Sequence, residues 1–446
     1  LDPADIEARL GKGQTLYWWG RLDQAAAVLR PLMQVQALSP ESKTTTAFTL
    51  AAVEHGRGKD SAALSLLSTA GDNSDVKLLR TNIKEGMRPV LRFTFGWEND
   101  QEEPGGASLA PTTVTRALRY STALSFNVKP DLRMTVSNTV TRATTSNPLL
   151  GKHGSDALAV ETEAKLDFRV NSWLRMLVGL GEGSLGSGFG CDLQTVPMST
   201  CAYSGERTHH LVFDVRPSIA RGPWRLDLDL GRHIADWTPL SIHDSVLRTR
   251  FGVAASYNWR DRLLTGAEFW HSRYNIDSPQ LDPALLQNDF TVDADGVAVY
   301  MTPTWYRGEH VRIEGGVRYE WFSFDESALR LQSPAPVGAD SGGFFAPHEY
   351  QRVAGTGRIV FEQSRFRMDV HGTFGPQRVQ GFAALSPPPP EWGTTGSFGA
   401  ELSGNFGRFR PFLAYEWFDT ATAAGPGQSS GSYRSHSIVG GFTFRF

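Results

Sequence analysis

From Met87 to the C-terminus the chain is written in a period of two. In 157–170, Val160, Thr162, Ala164, Leu166, Phe168 and Val170 alternate with Glu161, Glu163, Lys165, Asp167 and Arg169. In 223–236, Trp224, Leu226, Leu228 and Leu230 alternate with Arg225, Asp227 and Asp229. In 310–325, Val311, Ile313, Val317, Tyr319 and Trp321 alternate with Arg312, Glu314, Arg318 and Glu320. The last run, Ser437 to Phe446, sets Phe442, Phe444 and Phe446 on one side. Successive side chains of a strand point to opposite faces, so each run reads as a strand with one greasy and one wet face. Sixteen such runs are predicted: 88–100, 113–128, 131–144, 157–170, 172–184, 208–221, 223–236, 246–259, 261–275, 296–307, 310–325, 348–363, 365–378, 394–405, 408–421 and 433–446.

The connections alternate between short and long. The short ones are Lys129-Pro130-Asp131, Asn171-Ser172, Gly222-Pro223, Trp259-Arg260-Asp261, Gly308-Glu309, Ser364-Arg365 and Asn405-Phe406-Gly407. The long ones surround 101–112, 145–156, 185–207, 237–245, 276–295, 326–347, 379–393 and 422–432. Each strand exceeds the ~9–11 residues that cross a tilted bilayer. No segment has the ~18 apolar residues of a membrane helix, and the mean hydropathy of -0.29 fits a wall in which only alternate residues meet lipid. In lipid the backbone is satisfied only if the sheet closes. The predicted fold is therefore an all-β closed antiparallel transmembrane β-barrel of about sixteen strands over 87–446, with a small all-α domain over 1–86. The asymmetry of turns and loops resembles bacterial outer-membrane barrels, whose short turns are periplasmic. That resemblance implies a helical domain in the periplasm and a C-terminal strand recognised during assembly, with Phe446 toward lipid.

A charge facing mid-bilayer lipid costs ~2–4 kcal/mol, so the charged face must look into the lumen. The predicted pore-lining arginines are Arg92, Arg119, Arg133, Arg175, Arg216, Arg248, Arg250, Arg312, Arg318, Arg352, Arg358, Arg367, Arg410 and Arg445. The acids are Glu98, Glu161, Glu163, Asp167, Asp214, Asp227, Asp229, Glu314, Glu320, Asp369, Glu401 and Glu416. Interspersed signs fit either a salt-bridge lattice that stiffens the wall or a hydrated track for a polar polymer, to which Thr135, Ser137, Thr139 and Thr141 would add hydroxyls. Trp173, Trp224, Trp259, Trp305, Tyr306, Phe366, Phe406 and Phe409, near the short turns, suit an aromatic girdle at one interface. All eight lysines lie at or before Lys165, and every later base is arginine. A base-composition bias or a lumen that needs fixed planar donors would each produce this.

Residues 3–85 read as helices. The chain starting in a helical pattern at Leu1 suggests a cleaved or truncated N-terminus. Ala8, Gly13, Leu16, Gly20 and Ala25, around the aromatic pair Trp18-Trp19, give the order of a paired-helix unit. A looser copy starts at Pro40, with His55-Gly56 at its turn. Gly20 to Gly56 spans 36 residues, near the ~34-residue tetratricopeptide period. The two cysteines, Cys191 and Cys201, would close a small disulfide loop in an oxidising compartment, or remain as two buried thiols. Formal net charge is -3, which gives no pointer to nucleic acid. There is no CxxC, HExxH or phosphate loop. His210, His271 and His371 lie in strands without a paired nucleophile, so no catalytic residue, metal ligand or cofactor is assigned. Asp293-Ala294-Asp295-Gly296, with Asp277, Asp282 and Asp289, reads as a solvated acidic loop with a faint likeness to a calcium loop. Ser386-Pro387-Pro388-Pro389-Pro390 should be stiff polyproline.

A tetratricopeptide-like segment joined to a barrel of about sixteen strands and a terminal Phe446 resembles the outer-membrane exopolysaccharide exporters of the cellulose and poly-N-acetylglucosamine systems. The resemblance implies passive guidance of a polysaccharide from the periplasm through the pore, driven by inner-membrane synthase components, with lipid and lipopolysaccharide around the wall. A surface-protein translocation barrel with a weakly paired lateral seam, and a general diffusion porin or structural receptor, are the competing readings.

Overall fold

The computed structural model describes residues 5–35, 38–103, 113–145, 156–171, 173–187, 207–235, 242, 246–276, 291–325, 348–380, 392–421 and 432–446. Cys191, Cys201, Asp277, Asp282, Asp289 and the polyproline stretch lie outside these residues.

Five helices come first: α1 (Ile6–Trp18), α2 (Leu22–Leu32), α3 (Pro40–Gly56), α4 (Asp60–Thr69) and α5 (Ser74–Met87). Asp5, Ser39 and Asn73 accept backbone N–H groups in the first turns of α1, α3 and α5. Gly20, Gly58 and Gly71 follow α1, α3 and α4 with φ of 71°, 73° and 78°, the left-handed backbone that glycine adopts without strain. The turn of the second hairpin is thus at Gly58. Gly56, expected there, is instead the last residue of α3, where its face touches Leu22. With this correction the two hairpins agree in detail: Ala25 and Ala63, each five residues after the turn glycine, are fully buried. Leu16, Leu29, Leu32, Leu50 and Val53 form one apolar core, and Ala47, Ala51, Leu67, Val76 and Ile83 a second.

Sixteen strands follow: β1 (Val90–Glu103), β2 (Thr113–Lys129), β3 (Leu132–Thr145), β4 (Asp156–Arg169), β5 (Leu174–Ser187), β6 (Arg207–Arg221), β7 (Trp224–Ile234) and β8 (Val246–Trp259), then β9 (Leu263–Ile276), β10 (Thr291–Arg307), β11 (Val311–Phe324), β12 (Glu349–Gln363), β13 (Phe366–Gln380), β14 (Trp392–Gly404), β15 (Phe409–Ala421) and β16 (Ser432–Arg445). Each pairs with its chain neighbours, and β16 closes antiparallel on β1, from Val90↔Arg445 to Glu103↔Ser432. Closure leaves no open edge. The chain end is fastened beside its first strand: the Phe446 N–H donates to the Pro89 carbonyl at 3.1 Å, and Arg88 to the Phe446 carbonyl at 3.2 Å.

The largest departure from the expected strands is β10. It starts at Thr291, not at 296, so Asp293 and Asp295 belong to a strand and not to an acidic loop. Cross-strand pairing explains this: Arg273 of β9 donates two hydrogen bonds to Asp293, at 2.8 and 2.9 Å, and His271 meets Asp295 at 2.9 Å. Acids that look like loop residues in one dimension are counter-charges in the ladder. In the β8–β9 turn, Arg260 and Asp261 both have positive φ (49° and 58°), held by the Asn258 side chain, which accepts from the Asp261 N–H at 2.9 Å.

Candidate functional site: the barrel interior

Two observations decide which face looks inward. Leu166, Leu180, Leu230, Val317, Ile359, Phe374, Leu402 and Leu413 are exposed and share one face of their strands. The other face joins strands that are not neighbours: Lys165 of β4 reaches Asp214 of β6 at 2.9 Å, across β5. Such a chord forms only on the concave side. β5 permits it with Gly179, Gly181 and Gly183 on that face. A Cβ at Gly181 would lie 2.7 Å from Glu163 Cγ and 2.2 Å from the Thr162 carbonyl oxygen. The glycines are the floor over which the longer side chains lie.

By register, every residue predicted to line the pore sits on this inner face. Their charges are grouped. On β9 to β13, Arg318 bridges Glu320 (2.6 Å) and Glu268 (3.2 Å), Arg352 reaches Glu320 (3.7 Å), and Arg312 reaches Glu314 (3.2 Å). Arg358 reaches Glu314 (3.7 Å) and Asp369 (2.5 Å), and Asp369 also receives Arg367 (3.4 Å). On β4 to β8, Asp214 is almost fully buried and takes Lys165, Arg216 (2.9 Å) and His233 (3.0 Å). Arg216 and Arg250 share Asp229 at 2.9 and 3.9 Å, Arg225 holds Asp227 at 2.7 Å, and Arg175 holds Asp167. Arg119 lies 4.0 Å from Glu98. Arg92 packs over the Phe412 ring, 5.2 Å from its centroid. Among the described residues no carboxylate lies within 4.0 Å of Arg92, Arg133, Arg248, Arg410 or Arg445. Hydroxyls add to the lining: Ser125 meets Thr135 at 2.8 Å, and Thr139 donates to Ser121 at 3.0 Å.

Sequence reasoning missed three features here. Glu163, Asp214 and His233 offer ligand atoms within 4.8 Å of one another, a grouping with cation-site geometry. The Lys165 ammonium, 2.8 Å from Glu163 and 2.9 Å from Asp214, already supplies a cation there. Second, Trp270, Tyr274, Phe322, Phe324 and Tyr350 face inward near the long-loop end, with Phe322 stacked on Tyr350 at 4.6 Å. Their parity with Glu268, Glu320 and Arg352 on the same strands was the signal available in the sequence. Third, an apolar cluster is buried at that end: Ala143, Ala157, Ala159 and Leu185 of the inner face pack with Ile234, Ile242 and Leu247. The outer rim is simpler. Trp173, Trp224, Trp259, Trp305, Tyr306, Phe366, Phe406 and Phe409 are all exposed near the short turns.

The helices meet the barrel at the short-turn end. Arg169 at the end of β4 donates to the Gly56 carbonyl at 2.8 Å, and the Ser61 N–H points to Asp131 in the β2–β3 turn at 3.4 Å.

A closed sixteen-stranded antiparallel barrel with an apolar outer belt and a charged interior defines the fold as that of the outer-membrane barrels. No protein-family model matches the chain, and no curated protein matches it. Among solved structures, it is similar to a "Bacterial polysaccharide outer membrane secretin", with 10% identity, 81% of this chain and 99% of that chain covered, and a TM-score of 0.52. It is also similar to OccAB4 of Acinetobacter baumannii (11% identity, 80% of this chain and 98% of that one, TM-score 0.38). The TodX monoaromatic hydrocarbon channel gives 9% identity, 86% and 94% coverage and a TM-score of 0.38. At these identities the likeness is one of fold, and the two lower scores carry no argument.

Proposed function

We propose that this chain is an outer-membrane channel that carries a polar glycan from the periplasm to the cell surface. The observation that carries the reading is an interior lined from β1 to β16 by charges and hydroxyls, with helical hairpins fastened at the short-turn mouth. Sixteen strands is a size that leaves an aqueous channel. Many weak, exchangeable hydrogen bonds along the wall let a polymer slide, because no one site holds it. The likeness to a polysaccharide secretin supports the same direction. In this reading the helices lie in the periplasm, where a tetratricopeptide-like surface receives polymer from an inner-membrane synthase. The barrel sits among lipopolysaccharide, and the protein guides without catalysing. A surface-protein translocator would need a weak seam between first and last strands, and the unbroken β1–β16 register weighs against it.

Deleting the gene tests the reading. The expected result is polymer retained in the periplasm and absent from the surface, restored by the intact gene. Normal surface polysaccharide with loss of small-solute uptake would overturn it in favour of a diffusion porin.

A further inference from the structure

The interior wall is uneven in charge at the short-turn end. On β9 to β13 each predicted arginine is held by an acid. On β15, β16, β1 and β3 the same level carries Arg410, Arg445, Arg92 and Arg133, with no carboxylate within 4.0 Å of any of them among the described residues. Arg92 and Arg410 flank one residue, Thr443, from its two sides, which sets their backbones about 10 Å apart. Arg445 lies two residues beyond Thr443 on the same face, and Arg133 is within electrostatic reach of Arg445. The acid opposite Arg133 in the ladder, Asp167, is committed to Arg175, whose Nε donates to it at 2.8 Å. The next acid along β15, Glu416, is six residues further up, about 20 Å away. Arg92 and Arg410 are exposed into the lumen.

Four guanidinium groups facing one mouth repel one another, whereas among the described residues every other predicted lumen arginine except Arg248, on β8, has a carboxylate within 4.0 Å. Arginine presents a planar fork of donors suited to carboxylate, sulfate or phosphate. The arc also lies at the end of the barrel where α3 and α4 touch the β2–β3 and β4–β5 regions. A polymer leaving the helices therefore meets it first. We infer that Arg92, Arg133, Arg410 and Arg445 form an entry site for the acidic groups of an anionic, carboxylate-bearing glycan. This inference rests on the channel reading and names its substrate class.

The test uses the full chain folded in detergent, with three hexasaccharide probes: hexagalacturonate (a carboxylate on each sugar), uncharged maltohexaose and cationic chitosan hexamer. Binding is read by calorimetry, and current block in planar bilayers. Hexagalacturonate should bind more tightly than either other probe, and less tightly as salt rises. Replacing all four arginines by glutamine should weaken it about tenfold or more. Arg221→Gln, a charge lost from the outer face at the short-turn end of β6, should leave its affinity unchanged. Heat-modifiability on gels reports that each variant is folded, and the comparison of probes on the unaltered chain needs no variant. If maltohexaose or the chitosan hexamer binds as well as hexagalacturonate, or the quadruple variant binds hexagalacturonate unchanged, the anionic entry site is wrong while the channel reading stands. If no hexasaccharide binds or blocks current, the channel reading itself is overturned.

Discussion

The helices and the barrel solve the same burial problem in opposite senses. In the helices, Leu29, Leu32, Leu67 and Ile83 are packed away from solvent and the charges lie outside. Glu54, the one deeply buried acid among their described residues, is held by Arg30 at 2.6 Å and Arg57 at 3.0 Å. In the barrel, leucines of the same size, such as Leu180 and Leu413, are more than half exposed on the outer face. The buried groups there include Asp214, Asp369 and Gln377. The difference follows from the surroundings. The helices exclude water to make an apolar core, while the barrel meets an apolar medium outside and keeps its polar groups within. One substitution should therefore have unlike effects in the two regions.

The largest expected effect is in the helical core. Leu29→Ala should cost the helices ~2–5 kcal/mol through the lost side chain and the cavity left behind. Gly13 packs directly on Leu29, so its small size gives the void little means of closing. Helical circular dichroism should melt at lower urea while the barrel stays heat-modifiable. A coincident loss of both signals would show that the two regions are not separate in stability.

Next comes the outer wall. Leu180→Arg, in the middle of β5, should cost ~2–4 kcal/mol at the bilayer centre. Leu78→Arg, on an equally exposed position of α5, should stay within ~0.5 kcal/mol. Equilibrium refolding into lipid vesicles measures both. Equal costs would break the comparison, because they would mean that the face of β5 carrying Leu180 is not toward lipid.

A smaller loss, ~1–3 kcal/mol, is expected on each side for a buried-group change. In the barrel, Gly181→Val would press on Glu163 and on the neighbouring backbone. The yield of heat-modifiable protein should fall. In the helices, Arg57→Ala would leave Glu54 with Arg30 as its remaining partner. Urea melting of the helices should register the change, and an unaltered midpoint would mean that Arg30 alone suffices.

The smallest effect is a pH dependence carried by the helices. The hydrogen bond that the His55 ring donates to the Asp60 carboxylate, 2.6 Å away, raises the pKa of the half-exposed His55 above its ordinary value of 6.5. A group raised in the folded state stabilises it below the unfolded pKa, and that contribution is lost as pH rises through the folded value. The helices should therefore melt at slightly higher urea near pH 6 than above pH 8, and His55→Gln should flatten the slope. A slope of opposite sign, or one that survives the substitution, would show that another group is responsible.

The strands, their number and their two faces were written locally, because a period of two needs only neighbours in sequence. That is why β8 falls on the residues expected from alternation, and why the inner parity of Arg318, Glu320 and Asp369 could be read before any pairing was known. The turn glycine of the second hairpin was misplaced by two residues, since several glycines stood close together and only backbone φ separates Gly58 from Gly56. The start of β10 was hidden for a different reason: Asp293 and Asp295 become strand residues only when Arg273 and His271 arrive from β9. The identity of charge partners needed closure itself. Lys165 finds Asp214 two strands away because β5 is glycine beneath them. Arg92, Arg133, Arg410 and Arg445 become one arc only because β16 closes on β1 and brings residues near 90 beside residues near 445. Alternation fixes which way a side chain points, but register and closure, which act over the whole chain, decide what it meets.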